Sequence, residues 1–363
     1  MTVETEANLP TIPALIAAAR ARLPSVLWDY ATGGAESETT LRRNRAAFDR
    51  LAFRPRVLRD VSRVDVTATF LGQRLALPVM LAPVGSIALF HPDGALAAAR
   101  AAAAAGTLAF IGSLASPALE EVRAGCSGPL VFQLYLSGDR RWQERIVRRV
   151  EEAGYLALCV TVDSAMYGRR ERDLINRFVP SLDRPNLRDL GPAAARREGP
   201  RREASATWDD IAWLRSMTPL PLILKGILTG EDARLAVEHG VDVVYVSNHG
   251  GRQLDHAPAT IEVLPEVVAA VSGRAGVVLD SGVVRGTDVL KALAFGADAV
   301  LIGKLLLWGL AASGEEGVRR ALDLIAEEIR VSLANLGASS LGELSPASLR
   351  PSEPPPATIW PIE

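Results

Sequence analysis

The chain has 363 residues, 48% of them hydrophobic, and a formal net charge of −2. That is ample material for one large domain, and so small a charge argues against a nucleic-acid or polyanion binder. The two cysteines, Cys126 and Cys159, lie in or near apolar segments, so no disulfide framework and no zinc site are expected, and a reducing cytoplasm is. The opening MTVETEANLP has no apolar core, unlike a signal or transit peptide, and no apolar run reaches membrane-spanning length, so no membrane partner is expected.

Residues 10–50 read as helices, with TGGAES as a turn between them, inside an N-terminal helical segment spanning 1–75. Eight short β-like runs follow: LPVMLAP (77–83), TLAFIGS (107–113), LVFQLY (130–135), ALCVTVD (157–163), LILKG (222–226), VDVVYVSN (241–248), GVVLDSG (276–282) and AVLIGK (299–304). Helix-compatible stretches such as RRWQERIVRRVEEAG and EDARLAVEHG separate them, several ending in the glycine of a left-handed cap. Eight such units predict a closed α/β structure, a TIM (β/α)8 barrel, over 76–335. An open doubly wound sheet would usually carry a glycine-rich dinucleotide fingerprint, and none is present. Between the fourth and fifth runs, 179–206 is rich in Pro, Gly and Arg and reads as a long loop over the site; its six arginines also admit a basic docking patch, with a solvated loop preferred. The segment 336–363 is a tail whose Pro-rich end has no helical pattern and suits disorder or a strap on a neighbouring subunit. A homo-oligomer, a tetramer among the possibilities, is expected.

The most informative string is SNHGGRQLD at 247–255, directly after the sixth run. In a barrel, chemistry gathers at this C-terminal end of a strand. His249 can exchange a proton near neutral pH, Arg252 can fork a carboxylate, and the two glycines allow a close backbone approach. A lone His is usually structural and a lone Arg usually solvated. The combination points to a small acid as substrate.

The string closely resembles the signature of the FMN-dependent α-hydroxy-acid oxidases and dehydrogenases, the family of glycolate oxidase, lactate oxidase and mandelate dehydrogenase. The resemblance extends from about Leu23 to about Leu344. It implies FMN as cofactor, a small-molecule substrate, and oxidation of an L-2-hydroxy acid to the 2-keto acid. WDYATGGAES makes Tyr30 a donor to the substrate carboxylate, and GRRE makes Arg170 a second substrate arginine beside Arg252. FQLY supplies Gln133 for the flavin ring and Tyr135 for the substrate hydroxyl. TVD supplies Thr161 for the flavin and Asp163 to orient the base, His249. The resemblance puts Lys225 beside flavin N1 and makes Ser247 a cofactor contact. Flavin contacts are implied for Pro83, Val84 and Gly85 in LAPVG and for Gly112. Asp280, Ser281, Gly282, Val283, Val284, Gly303 and Lys304 fall at the phosphate-binding ends of the last two strands.

These roles also make chemical sense. Oxidising a 2-hydroxy acid needs a base near Cα, a carboxylate that holds that base in one tautomer, and a fixed cation where charge develops. Two guanidiniums and a tyrosine would anchor the carboxylate.

Four departures from the family bear on FMN and substrate binding. Val284 stands where the run Asp-Gly-Gly-Val-Arg-Arg has its phosphate-binding Arg, leaving Arg285, and Lys304 follows Gly303 where an Arg is usual. Weaker FMN binding is therefore expected, with the amides of Gly282 and Gly303 carrying more of the load. Gly112 stands where many members have Ser, with Ser113 adjacent. Leu114 stands where glycolate oxidases have Trp, which predicts a roomier pocket and a bulky or aryl substrate side chain. The polar loop after the fourth run favours a soluble oxidase or dehydrogenase, whereas Gly85 resembles the small residue of dehydrogenases and monooxygenases, so oxygen and other electron acceptors both stay open. The alternative reading is a barrel with weakened FMN binding that serves as a non-catalytic binding or assembly protein.

Overall fold

The barrel strands are short, apolar and closed to water on both faces, as parallel strands covered by helices must be. In the computed structural model, which describes residues 9–180, 183–190 and 202–353, they are β4 (Val79–Leu81), β5 (Ala109–Gly112), β6 (Leu130–Tyr135), β7 (Ala157–Thr161), β8 (Leu222–Ile227), β9 (Val243–Val246), β10 (Gly276–Leu279) and β11 (Ala299–Ile302). They pair in parallel in sequence order, and β11 closes on β4 to complete the barrel. Seven of the eight strands lie within their expected runs, and β8 extends one residue past its run, to Ile227. Asp163, Ser247 and Ser281 are carried by the turns at the barrel mouth.

Alternation along each strand divides the core in two. Met80, Phe110, Val131, Cys159, Ile223, Tyr245, Val278 and Leu301, one from each strand, fill the interior. Their neighbours, among them Leu81, Ile111, Phe132, Val160 and Leu224, face outward against the helical layer. A helix follows every strand, and local caps start several of them: Asp139 accepts from the amide of Trp142 at 2.8 Å, and Thr229 from that of Asp232 at 3.2 Å. The last helix, Lys304–Asn335, breaks at Ser313 and Gly314 and packs against the N-terminal helix α1 (Ile12–Arg22).

Helices α2 (Ser25–Thr32) and α3 (Thr39–Asp49) follow α1, with the TGGAES turn between them. Residues 51–75, counted with the helical segment in the sequence reading, instead hold strand β1 (Leu51–Phe53) and a hairpin of β2 (Ala68–Phe70) and β3 (Gln73–Leu75). Both turn residues of the hairpin, Leu71 and Gly72, have positive φ, the conformation that matches the twist of its strands. Phe70 and Leu75 join the interior cluster, with the Phe70 ring 6.5 Å from that of Phe110, so the hairpin plugs one end of the barrel. Within the tail, β12 (Leu349–Pro351) pairs antiparallel with β1 of the same chain. Residues 181–182 and 191–201 of the long loop, with Arg196, Arg197 and Arg201 of the arginine patch, and 354–363 of the tail, with the strap reading, lie outside the described residues.

Candidate active site

The turn after β9 carries the central pair. His249, at φ +59°, places its Nδ1 2.9 Å from Asp163 Oδ1, which sits on the turn after β7. Gly226 makes this approach possible: it has φ +116°, and a Cβ there would lie 2.7 Å from Asp163 Cβ. Burial depresses the imidazole pKa below its ordinary value, with Asp163 opposing, so His249 is a free base at neutral pH. Its bond to Asp163 commits Nδ1 and leaves Nε2 to act.

Lys225, on β8, is 3% exposed. Its Nζ donates to Ser247 Oγ at 2.8 Å and lies 3.8 Å from Asp163 Oδ2 and 4.0 Å from Asp280 Oδ2. Burial works against its charge, but the two carboxylates outweigh burial and raise its pKa. Burial likewise opposes ionisation of Asp163, and Lys225 with His249 outweighs it, so the carboxyl titrates below its usual range. The result is a neutral base beside a permanent, fixed cation.

Arg170 and Arg252 lie to the other side. Arg252 donates to the Gly33 carbonyl at 2.6 Å and stacks over Tyr30 at 5.2 Å, and Arg170 donates to the Arg252 carbonyl at 3.3 Å. Burial and the like charge of Arg170 push the Arg252 guanidinium down to about 10. Two crowded, buried guanidiniums form a site that an incoming carboxylate would relieve.

Further residues hold this arrangement, and the sequence reading did not find them. Gln253 donates to the carbonyls of Asp163 and Met166 at 3.3 and 3.0 Å, stapling the turn after β7 to the turn after β9. Asn248 and Asn44 exchange side-chain hydrogen bonds at 2.9 and 2.7 Å. Asp255 caps α3 from across the chain, accepting from the amides of Thr39 and Thr40 at 3.2 and 2.7 Å. Tyr167 lies beneath Arg170 and accepts from its guanidinium at 2.6 Å. In sequence these are ordinary Gln, Asn, Asp and Tyr residues; Asn248, Gln253 and Asp255 fall inside the singled-out string, Asn44 and Tyr167 outside it.

The family described as FMN-dependent dehydrogenase matches residues 19–351. The chain belongs to the FMN-dependent dehydrogenase family. It is 46% identical to glycolate oxidase 1 of Oryza sativa subsp. indica over 92% of this chain and 93% of that protein. It is also 46% identical to the L-lactate oxidase of a Nostoc species, over 91% and 95%. A mandelate oxidase structure superposes with TM-score 0.87 at 44% identity, covering 94% of this chain and 98% of that one. A soluble mutant of the membrane-associated (S)-mandelate dehydrogenase from Pseudomonas putida gives 0.90 at 39%, covering 95% and 100%. As a family member this FMN-dependent dehydrogenase is a 2-hydroxy-acid oxidase or dehydrogenase, and FMN is its cofactor. Among the described residues no helix is long and apolar enough to cross a membrane.

The barrel mouth fits that cofactor's ring. Gln133 donates to Thr161 Oγ1 at 2.8 Å, and the buried hydroxyl of Ser113, beside Gly112, has no hydrogen-bond partner. A Cβ at Gly303 would meet only Ala82, at 3.8 Å, so that space is open. Pro83, Val84 and Gly85 line the end of β4, and Lys225 and Ser247 complete the polar arc.

The phosphate end is built differently from expectation. Val284 is buried in the apolar core, and its amide donates to Asp288 Oδ2 at 3.0 Å. Arg285 pairs with Glu328 at 2.5 Å, and Lys304 donates to the Thr32 carbonyl at 2.7 Å. Burial and the charge of Arg252 push the Lys304 pKa well below its ordinary value. What suits a phosphate here is the first turn of the Lys304–Asn335 helix, whose amides have no intrahelical acceptor, beside the turn of Gly282 and Val283.

Proposed function

We propose that the protein oxidises an L-2-hydroxy acid with a bulky apolar or aryl side chain to the 2-keto acid, with His249 as base. The observation that carries this is the His249–Asp163 pair at 2.9 Å, beside a lysine held as a cation and facing a crowded arginine pair. Arg170 and Arg252 bind the substrate carboxylate, with Tyr30 assisting, which fixes Cα and its hydroxyl relative to the base. Tyr135 orients the hydroxyl. His249 Nε2 takes the substrate proton, while Asp163 holds the ring and stabilises the imidazolium that forms. FMN, when bound, supplies the two-electron acceptor. Gln133, Thr161, Ser247, Asp280, Gly282 and Gly303 would hold it, with Lys225 as the fixed cation beside it.

Substrate size is argued from two neighbouring positions. A Cβ at Gly85 would sit 3.2 Å from Leu114 Cβ, so glycine at one position makes room for leucine at the other. Leucine fills less volume than tryptophan, and each methylene accepted by an apolar pocket is worth about 0.8 kcal/mol. The names of the mandelate-active structural relatives support this reading, while those of the glycolate and lactate oxidases point to smaller acids. Comparing kcat/KM for L-mandelate, L-2-hydroxyisocaproate, L-lactate and glycolate tests it. Mandelate or hydroxyisocaproate should lead, and glycolate in first place would overturn the size argument. Oxygen is the preferred acceptor, tested by anaerobic reduction with substrate followed by admission of oxygen.

A further inference from the structure

Lys225 and Asp280 are oppositely charged and buried, yet Nζ and Oδ2 stand 4.0 Å apart. Such a pair ordinarily closes to a charge-assisted hydrogen bond of about 2.7–2.9 Å. Asp163 Oδ2, 3.8 Å from Nζ and without a hydrogen-bond partner, is not closed on either, so the ammonium stands between two carboxylates, and on the Asp280 side the carboxylate is occupied. Tyr245, fully buried inside the barrel on β9, donates its hydroxyl to Asp280 Oδ2 at 2.9 Å, the oxygen nearest the lysine. Ser281 donates to the other oxygen, Oδ1, at 2.8 Å and accepts from the amide of Gly250 at 3.0 Å. The lysine spends its own hydrogen bond on Ser247 Oγ, with Nζ 5.4 Å from the centre of the Tyr245 ring.

Two features mark this as more than core filling. Tyr245 is one of two interior residues of its strand, with Val243, and the one in register with Lys225 on β8 and Val278 on β10; its phenol reaches Asp280 at the mouth. Ser281 has φ +72°, a region unfavourable for any side chain, at a position where the family's run has glycine. The strain is borne in a residue whose hydroxyl links Asp280 to the loop of His249.

We propose that Tyr245 and Ser281 are positioning residues that saturate Asp280 and so keep the Lys225 ammonium at the barrel mouth, facing the cofactor. The inference rests on Lys225 serving as the cation beside FMN. Without the phenol, Oδ2 is a buried acceptor with one donor in reach, and Lys225 would close onto it, moving its charge away from the flavin.

The test compares FMN-loaded Tyr245→Phe and Ser281→Gly with the parent by three measurements: FMN dissociation constant, reduction potential against a dye couple, and stopped-flow reduction by substrate. For Tyr245→Phe the potential should move negative and the reduction rate fall about tenfold, with KM and FMN affinity within about threefold, because the charge is displaced while the pockets remain. Ser281→Gly should move the potential the same way by less, and without loss of melting temperature, since glycine accepts that φ. Parent-like potential and rate in both variants overturn the proposal. If Tyr245→Phe does not fold, Ser281→Gly decides alone. Loss of FMN from folded protein in both variants also overturns it, since the network would then bind the cofactor rather than aim the lysine. The potential needs no substrate, so a parent that no 2-hydroxy acid reduces would refute the functional reading while this shift stayed readable.

Discussion

The turn after β9 and the turns after β10 and β11 occupy the same rim of one barrel but are secured in opposite ways. Around His249 several elements supply polar contacts: Asp163 from the turn after β7, Gln253 bridging back to that turn, and Asn44 and Thr40 from α3. At the phosphate end the cationic side chains are used internally, Arg285 by Glu328 and Lys304 by the Thr32 carbonyl, while Val284 is committed to the core. On the proposed function, the end that does the chemistry is preorganised and retention of the cofactor would fall to backbone amides.

The largest effect should come from breaking the well-held end. His249→Ala should keep FMN bound yet lower the rate of flavin reduction by roughly four or more powers of ten, read by stopped flow. A residual rate above about a tenth of the parent would reject His249 as the base. The pH profile sharpens the same point. Because burial lowers the His249 pKa, the neutral base persists to below the ordinary imidazole value. The acid limb of kcat/KM should therefore have its midpoint below about 6.5, losing about tenfold per pH unit beneath it. A midpoint above 7 would mean that Asp163 dominates over burial.

At the other end, Val284→Arg should tighten FMN by about 1–3 kcal/mol, the range for a charge-assisted hydrogen bond, as measured by fluorescence titration. Weaker binding would show that the apolar slot around Val284 cannot release a guanidinium toward the phosphate. Lys304→Met should have the smallest effect, below about 1.4 kcal/mol or tenfold in FMN affinity, since its ammonium is spent on Thr32. A larger loss would show that Lys304 leaves Thr32 when the cofactor is bound.

Much of this was legible in the sequence because the decisive signals are local. A parallel strand buried on both faces gives a continuous apolar run, so all eight barrel strands could be read, and the candidate site residues lie near or just after their C-terminal ends. The supporting contacts are not local. Asp255 caps a helix more than 200 positions earlier, and Asn44 pairs with Asn248 over a similar separation. Asn248 and Asp255 lie in the singled-out string, but nothing around Asn44, Thr39 or Thr40 marks them as their partners. The hairpin at 68–75 was missed because its strands are too short for alternation to register. The direction of Lys304 was out of reach for a different reason: its type was visible, but the carbonyl that takes its charge belongs to α2.

The hairpin plug has a kinetic consequence. With Phe70 closing one end and Phe110 and Tyr245 filling the interior, the barrel offers no passage through its axis. Substrate, product and electron acceptor must share one doorway at the opposite face. An acceptor that reaches the reduced site by that route meets the product on its way out, so the two compete for the same vestibule. Product should accordingly inhibit competitively against the acceptor, and purely uncompetitive inhibition would place the acceptor's route elsewhere.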